Sequence, residues 1–383
     1  MAILLSQEAN FFMLRKKAPI LSFIFCLTFC SSGLGGVPII PSTADNKILE
    51  KPIRAEVIFK IGSDKMNEDF YKYPAFAVGQ NGQIYVLDSG NSRVQCFSKE
   101  GNFLFGFGRL GQGPGEFSPE PRIIKILSDG NIYVIDNPQR RINVFNQEGK
   151  FLDYAKMLAW YSDIVLLNGT YYLTNFILKE NHKPIHVSRS LEKIDSDWGI
   201  FIEPAVGILK QISQLSMPEP WRISYSDSNF AKLVATNRGE LIYSQCFPYR
   251  LIKYDVKGRV LKDIMGEVDF DTYLQAKFDV DRLRTRLITS PPPGMRILLN
   301  VNIKNDNQVV VSYINPEKSI FYLDIYDLDL NLIARYRLVD KIADPQKGEY
   351  VVQSLVDDDN NLYTIVVFEE DYPKLIKYRL IFD

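Results

Sequence analysis

Gly106, Gly108 and Gly111 stand at the G-x-G-x-x-G spacing with which dinucleotide-binding and kinase loops wrap phosphate groups. That chemistry needs a helix directly after the turn, because the free N–H groups at its start and the helix dipole hold the anion. Here the chain continues Gln112-Gly-Pro-Gly-Glu116-Phe-Ser-Pro-Glu-Pro121, which places three prolines and two more glycines where the helix would begin. No Lys-Ser or Lys-Thr follows a glycine, so a Walker loop is excluded as well. The stretch reads as a turn. Metal and nucleophile chemistry are equally thin. The two histidines, His182 and His186, are four residues apart; on a strand they would share a face about 13 Å apart. Zinc needs three or four converging ligands, and neither His-Glu-x-x-His nor a paired-cysteine motif supplies them. There is no Gly-x-Ser-x-Gly elbow. No catalytic residue, metal site or cofactor is assigned.

The elements that position these residues follow from bulk composition and then from a repeat. The chain has 383 residues, 46% hydrophobic and 24% charged, which is the composition of a globular protein long enough for two domains or one large repeat array. With 45 basic against 46 acidic residues, no net field favours nucleic acid or anionic lipid. Its 24 Phe and 21 Tyr suit pleated, half-buried surfaces and lean toward sheet. At the N-terminus, Arg15-Lys16-Lys17 precedes the apolar run Ile20 to Phe29, too short to span a bilayer as a helix. Residues 1–36 therefore read as an export signal with linker, with Met1 or Met13 as the start. Leu27-Thr-Phe-Cys30 resembles a bacterial lipobox, which would lipidate Cys30. Phe29 departs from the small residue that motif expects, so cleavage nearer Gly35 or Gly36 stays open. Cys96 and Cys246 would remain after processing, too few for a disulfide framework.

Gly82-Gln-Ile-Tyr-Val-Leu-Asp88 recurs as Gly130-Asn-Ile-Tyr-Val-Ile-Asp136, and the flanks recur in register. Arg93-Val-Gln-Cys-Phe97 matches Arg141-Ile-Asn-Val-Phe145, and Glu100-Gly-Asn-Phe-Leu104 matches Glu148-Gly-Lys-Phe-Leu152. Each unit reads as four short strands separated by polar or glycine turns. Weaker copies around Asn168-Gly, Arg238-Gly, Asn305-Asp-Asn and Asp359-Asn-Asn bring the number to six. The last copy stops after three strands, while residues 55–62 form an unassigned strand before the first. Joining the two would close a ring and leave no inner edge unpaired. The fold class expected is all-β: a six-bladed β-propeller of four-stranded antiparallel blades over residues 54–383, closed by an N-terminal strand. Residues 37–53 are expected to be a flexible linker. The span 267–295 carries Phe270, Tyr273, Leu274, Phe278, Leu283 and Leu287 at helix-like intervals before Pro291-Pro-Pro-Gly294, so a short helical insertion is expected there. Cys96 and Cys246 fall on blades one and four, opposite each other, and should both be free.

The run Pro74-Ala-Phe-Ala-Val78, Ile84-Tyr-Val-x-Asp88-Ser-Gly-Asn-Ser-Arg93-Val and Phe97 resembles an NHL repeat. The chain as a whole is similar to the exported bacterial six-bladed propellers of NHL type. The likeness implies fold and an extracytoplasmic location, periplasmic or membrane-anchored, and little chemistry. Six-bladed propellers also include calcium lactonases, amidating lyases and strictosidine-synthase-like proteins. A calcium-dependent hydrolase or lyase is therefore the competing reading, with calcium held by Asp, Asn and Glu oxygens near the central channel.

In a propeller the second-to-third strand turns and the between-blade connections emerge on one face. The long connections, 108–119, 176–185, 204–228 and 267–295, all fall there, which marks it as the binding face. Its contact residues are expected among Asp88, Asn91, Arg93, Asp136, Arg140 and Arg141 around the turns, and among Arg109, Gln112 and Glu116 on the glycine-rich loop. Trp221 and Arg222, beside prolines, could stack a sugar or a peptide proline. Asp and Arg of the turns equally suit capping and cross-hairpin pairing. The expectation is a monomeric, non-enzymatic propeller that recognises a protein or glycan ligand, does not bind nucleic acid, and meets the membrane only through an N-terminal lipid.

Overall fold

The structure is a computed structural model that describes residues 40–41, 49–63, 68–175, 183–200, 231–245, 249–265, 297–315, 320–344 and 347–382. The period-two pattern of each repeat becomes a four-stranded antiparallel sheet. Blade 1 consists of Ala75–Val78, Ile84–Asp88, Arg93–Phe97 and Phe103–Phe107. Blade 2 consists of Ile123–Ile126, Ile132–Asp136, Arg141–Phe145 and Phe151–Lys156. Blade 3 runs Tyr161–Leu167, Thr170–Asn175, Ile185–Ser188 and Ser196–Trp198, and blade 4 runs Lys232–Ala235, Leu241–Gln245, Arg250–Tyr254 and Val260–Met265. Blade 5 comprises Ile297–Lys304, Gln308–Asn315, Ile320–Asp327 and Leu332–Leu338. Blade 6 supplies Glu349–Val356, Asn361–Phe368 and Lys374–Phe382 from the C-terminus. Its fourth strand is the N-terminal Glu50–Ile61, antiparallel to Lys374–Phe382.

That closing strand begins at Glu50, earlier than the boundary expected at 54. Glu50 to Ile53 run parallel to Leu332–Leu338 of blade 5, so one strand ties the outer edges of two blades. Ile53 is fully buried among side chains of blades 5 and 6, which is why the strand reaches this far back. Ile40–Pro41, also in the span expected as linker, pairs parallel to Val260–Met265 of blade 4. Among the described residues there is no α-helix. The expected helical insertion at 267–295 lies outside them.

The core is divided between the blades. Alternate residues of one strand face opposite neighbours, so Tyr85 and Leu87 pack with Ile124, Ile132 and Val134 of blade 2. Ile84 and Val86 face the other way, against Tyr363, Ile365 and Leu375 of blade 6. Six such clusters occur among the described residues, one at each blade junction. The second strands Ile84–Asp88 and Ile132–Asp136 are accordingly buried at every position, whereas the outer strand Phe103–Phe107 has no buried residue. At the rim, a glycine between third and fourth strands sits on an aromatic ring of the preceding blade. A Cβ on Gly149 would lie 2.5 Å from the Phe107 ring, and one on Gly258 would lie 2.4 Å from Trp198. The equivalent of Phe107 for Gly101 is Phe59 of the closing strand, at 3.0 Å. The N-terminal strand thus fills the place of an ordinary fourth strand in packing as well as in hydrogen bonding. Inner strands meet across the same seam, where the Gln353 amide bonds both the N–H and the carbonyl of Phe76. Cys96 is buried and free in blade 1, and burial pushes its thiol up to about 11. Cys246 lies outside the described residues.

Candidate functional site

The glycine-rich loop is built from its ends inward. The Gly111 N–H donates to the Phe117 carbonyl at 3.0 Å, and the Phe117 N–H donates to the Arg109 carbonyl at 2.8 Å. The Glu116 carboxylate takes the Gly113 N–H at 2.7 Å and pairs with the Arg109 guanidinium at 2.7 Å. Those two contacts, the Gly113 N–H first, hold the Glu116 carboxyl below its usual range. From blade 2, Arg141 donates to the Gly113 and Gln112 carbonyls at 3.0 and 2.9 Å, and Gln139 donates to the Gly111 carbonyl. The N–H groups of Gly111, Gly113, Glu116 and Phe117 are therefore spent within the loop. Gly108, at φ 78°, lies over the fully buried Phe117 ring, which a Cβ would approach to 2.2 Å. The loop is a docked corner with no cradle for phosphate. Arg109 and Glu116, expected as free polar groups, are paired to each other; Gln112 is exposed.

The turn aspartates are buried. Asp88 is fully buried and accepts from the Tyr71 N–H at 3.0 Å, the Asn91 amide at 2.7 Å and the Arg93 guanidinium at 3.1 Å. Burial still pushes its carboxyl up, against the pull of those donors. Arg93 reaches on to Asp69 at 2.7 Å. Asp136 repeats the device in blade 2, accepting from the Ser118 N–H at 2.7 Å and from the Gln139 N–H at 3.2 Å. Each aspartate thus grips the connection that enters its own blade, 17 or 18 residues upstream. The capping reading describes both residues, and the contact reading does not reach their carboxylates. Arg140 is exposed at φ 55°, and its carbonyl accepts from the Met157 N–H at 2.8 Å. Asn91 is exposed beside Asp88. Trp221, Arg222, Cys30 and His182 lie outside the described residues. His186 is buried in blade 3, its Nδ1 3.3 Å from the Tyr161 hydroxyl.

What the turns hold in place is a set of exposed residues that sequence reasoning missed. Around Ser89 and Gly90 three segments are stapled together. The Gly90 N–H donates to the Tyr71 carbonyl at 3.1 Å and the Glu120 N–H donates to the Ser89 carbonyl at 3.2 Å. The Ser89 hydroxyl lies 2.8 Å from the Tyr73 carbonyl and 2.6 Å from that of Pro121, and its single hydrogen serves one at a time. The Ser92 hydroxyl donates to the Ser118 carbonyl at 2.8 Å. This hub presents Tyr71 and Tyr73, 41% and 47% exposed. Between them Lys72, at φ 62°, pairs with Glu120, at φ 72°, and Arg122 bonds the other Glu120 oxygen at 3.3 Å. The Lys72 contact first, then Arg122, holds the Glu120 carboxyl below its usual range. Tyr372, from the second-to-third turn of blade 6, stands edge-on to Tyr71 with ring centroids 5.3 Å apart. The only signal in the chain was the local Tyr71-Lys-Tyr73 alternation ahead of Pro74. Among the described residues no group of three His, Cys, Asp or Glu side chains converges as a metal site.

A family model described as a 6-bladed beta-propeller matches residues 78–199. The chain is similar in structure to a candidate exported protein from Bacteroides fragilis, with TM-score 0.55 and 16% identity over 86% of this chain and 95% of that one. It is also similar to a member of the duf4221 family from Bacteroides vulgatus, with TM-score 0.50 and 11% identity over 88% and 100% of the two chains. Virginiamycin B lyase from Staphylococcus aureus aligns with TM-score 0.46 and 10% identity over 86% and 100%. No curated protein matches the sequence. Likeness at these identities shows the fold, a six-bladed propeller, and leaves function to the site.

Proposed function

We propose that this chain is an exported, NHL-type propeller that binds a protein or glycan ligand on its loop-rich face and performs no chemistry of its own. The observation that carries the reading is the hub around Asp88 and Ser89. Buried hydrogen bonds there are committed to fixing backbone that displays tyrosines and paired charges to solvent. A surface arranged before its ligand arrives loses little conformational freedom on binding, which favours recognition. An enzyme would instead bring titratable groups together around a reacting atom. The buried aspartates here are occupied by backbone donors and by arginine. Export rests on the basic-then-apolar N-terminus, with Cys30 as the residue a lipid would occupy, and the name of the Bacteroides fragilis neighbour points the same way.

The test is capture by the full chain, produced with its own leader, of ligands from cell-envelope extract and from a glycan array. Substitutions on the loop face, Arg109→Ala with Arg140→Ala and Tyr73→Ala, should weaken capture. Substitutions on the opposite face, Glu100→Ala and Glu148→Ala, should not. The reverse pattern would overturn the assignment, as would turnover of a lactone by the same preparation.

A further inference from the structure

We propose that Tyr71, Tyr73 and Tyr372 form a carbohydrate-binding platform, with Lys72, Glu120 and Arg122 as its polar rim. The inference rests on the loop face being the binding face and narrows its ligand to a neutral saccharide chain.

The Tyr71 and Tyr372 rings meet at 88°, and their hydroxyls lie 3.4 Å apart. Two rings at a right angle make a corner with one aromatic wall and one aromatic floor. A pyranose has the complementary shape: a flat face of C–H bonds that packs on a ring, and a rim of hydroxyls that needs donors and acceptors. The rim groups are in reach of one another. Glu120 offers carboxylate oxygens, Lys72 and Arg122 offer N–H donors, and the Arg122 guanidinium lies 5.3 Å over the Tyr73 ring. A tyrosine also loses little rotamer freedom when it binds, having two side-chain torsions.

Backbone strain points to the same patch. Lys72 and Glu120, at φ 62° and 72°, both sit in the left-handed region, where the Cβ of an L-residue crowds its own backbone. Glycine would make either turn without that strain, yet the chain places a cation and an anion there, aimed at each other. Strained residues held by a surrounding hydrogen-bonded frame mark sites where side-chain position matters.

Charge separates a saccharide from the other ligand classes. Lys72 and Arg122 are both taken up by Glu120, and Lys374 by Asp371 beside Tyr372. A phosphate or a polyanion would have to break those pairs, and an anionic peptide finds no unpaired cation among them. A stable protein interface buries about 800 Å² on each side around an apolar centre. Three partly exposed tyrosines ringed by ion pairs are scaled to a few sugar rings.

The experiment titrates the full, processed chain with hexasaccharides of glucose, mannose, galactose, xylose and N-acetylglucosamine, read by calorimetry and by tyrosine fluorescence. Saturable binding of at least one is expected. Tyr71→Ala and Tyr73→Ala should each weaken it about tenfold or more, as loss of a central aromatic contact does, with melting temperature unchanged. Tyr71→Trp should retain it. Binding that ignores both tyrosines but falls with Arg109→Ala would overturn the platform and leave the loop face standing. Capture of a protein in a Tyr71-dependent manner, with no saccharide bound, would overturn the ligand class alone. No saturable binding to any hexasaccharide and no capture on this face would overturn both readings.

Discussion

Removing the Asp136 carboxylate should damage the fold of the loop face before it touches any ligand. Asp136 is fully buried, and Ser118, whose N–H it accepts at 2.7 Å, is 3% exposed. In Asp136→Ala that N–H loses its partner inside the protein, which costs about 1–3 kcal/mol. The Gln139 N–H, at 3.2 Å and nearer solvent, adds about 0.5–1 kcal/mol. The Ser118 hydroxyl, which donates to the other Asp136 oxygen at 2.5 Å, adds little, because it can turn to the Pro119 carbonyl 3.3 Å away. The sum is about 1.5–4 kcal/mol, against about 0–1 kcal/mol for Arg109→Ala, an ion pair whose arginine side chain is 80% exposed. Hydrogen exchange localises the effect. At 1.4 kcal/mol per factor of ten, a loss of 2 kcal/mol accelerates exchange of the Ser118 amide about thirtyfold. A peptide covering residues 108–122 should report it, while one from blade 5 should not change. If Asp136→Ala melts and exchanges like the parent but loses ligand capture, the carboxylate faces the ligand and the capping argument is wrong.

Deleting residues 50–61 removes the fourth strand of blade 6 and its link to blade 5, so the protein should aggregate or lose its cooperative melt; a normal melt would refute closure. Gly149 and Gly169 share nearly the same φ, 76° and 73°, but only Gly149 faces a ring. Gly169→Ala should therefore cost about 1–2 kcal/mol of backbone strain alone, and Gly149→Ala measurably more in the same denaturant titration. The Glu120 carboxyl is held below its ordinary range by Lys72 and Arg122. Its contribution is complete above the usual Glu pKa of about 4.3 and is lost as pH falls through the lowered value. Near-UV circular dichroism of the tyrosines should accordingly hold from neutral pH down to about pH 4.3 and decline below that, and Glu120→Gln should abolish this step.

The blades were legible in the chain because everything that makes a blade is local. The short apolar run Ile84 to Asp88, the glycine turns at 82 and 101, and their copies at 130 and 149 set strand length and turn within a few dozen residues. The ring count and the closing strand followed, since a last blade short of one strand and an unassigned strand at the other end have one way to avoid a bare edge. Even the capping role of Asp88 and Asp136 was open to sequence, being repeated at a fixed place in each unit. The platform was not. Tyr71 and Tyr372 are 301 residues apart and meet only because the ring closes. Arg141 grips the Gln112 and Gly113 carbonyls only because blade 2 packs beside blade 1 and meets the loop that leaves it. Glu116 looked free because nothing in its neighbours announces a partner seven residues back. Periodicity records which face a residue shows to the adjoining blade. Which connections come together above that face is decided by the order of blades around the ring, and only the closed fold brings those segments into contact.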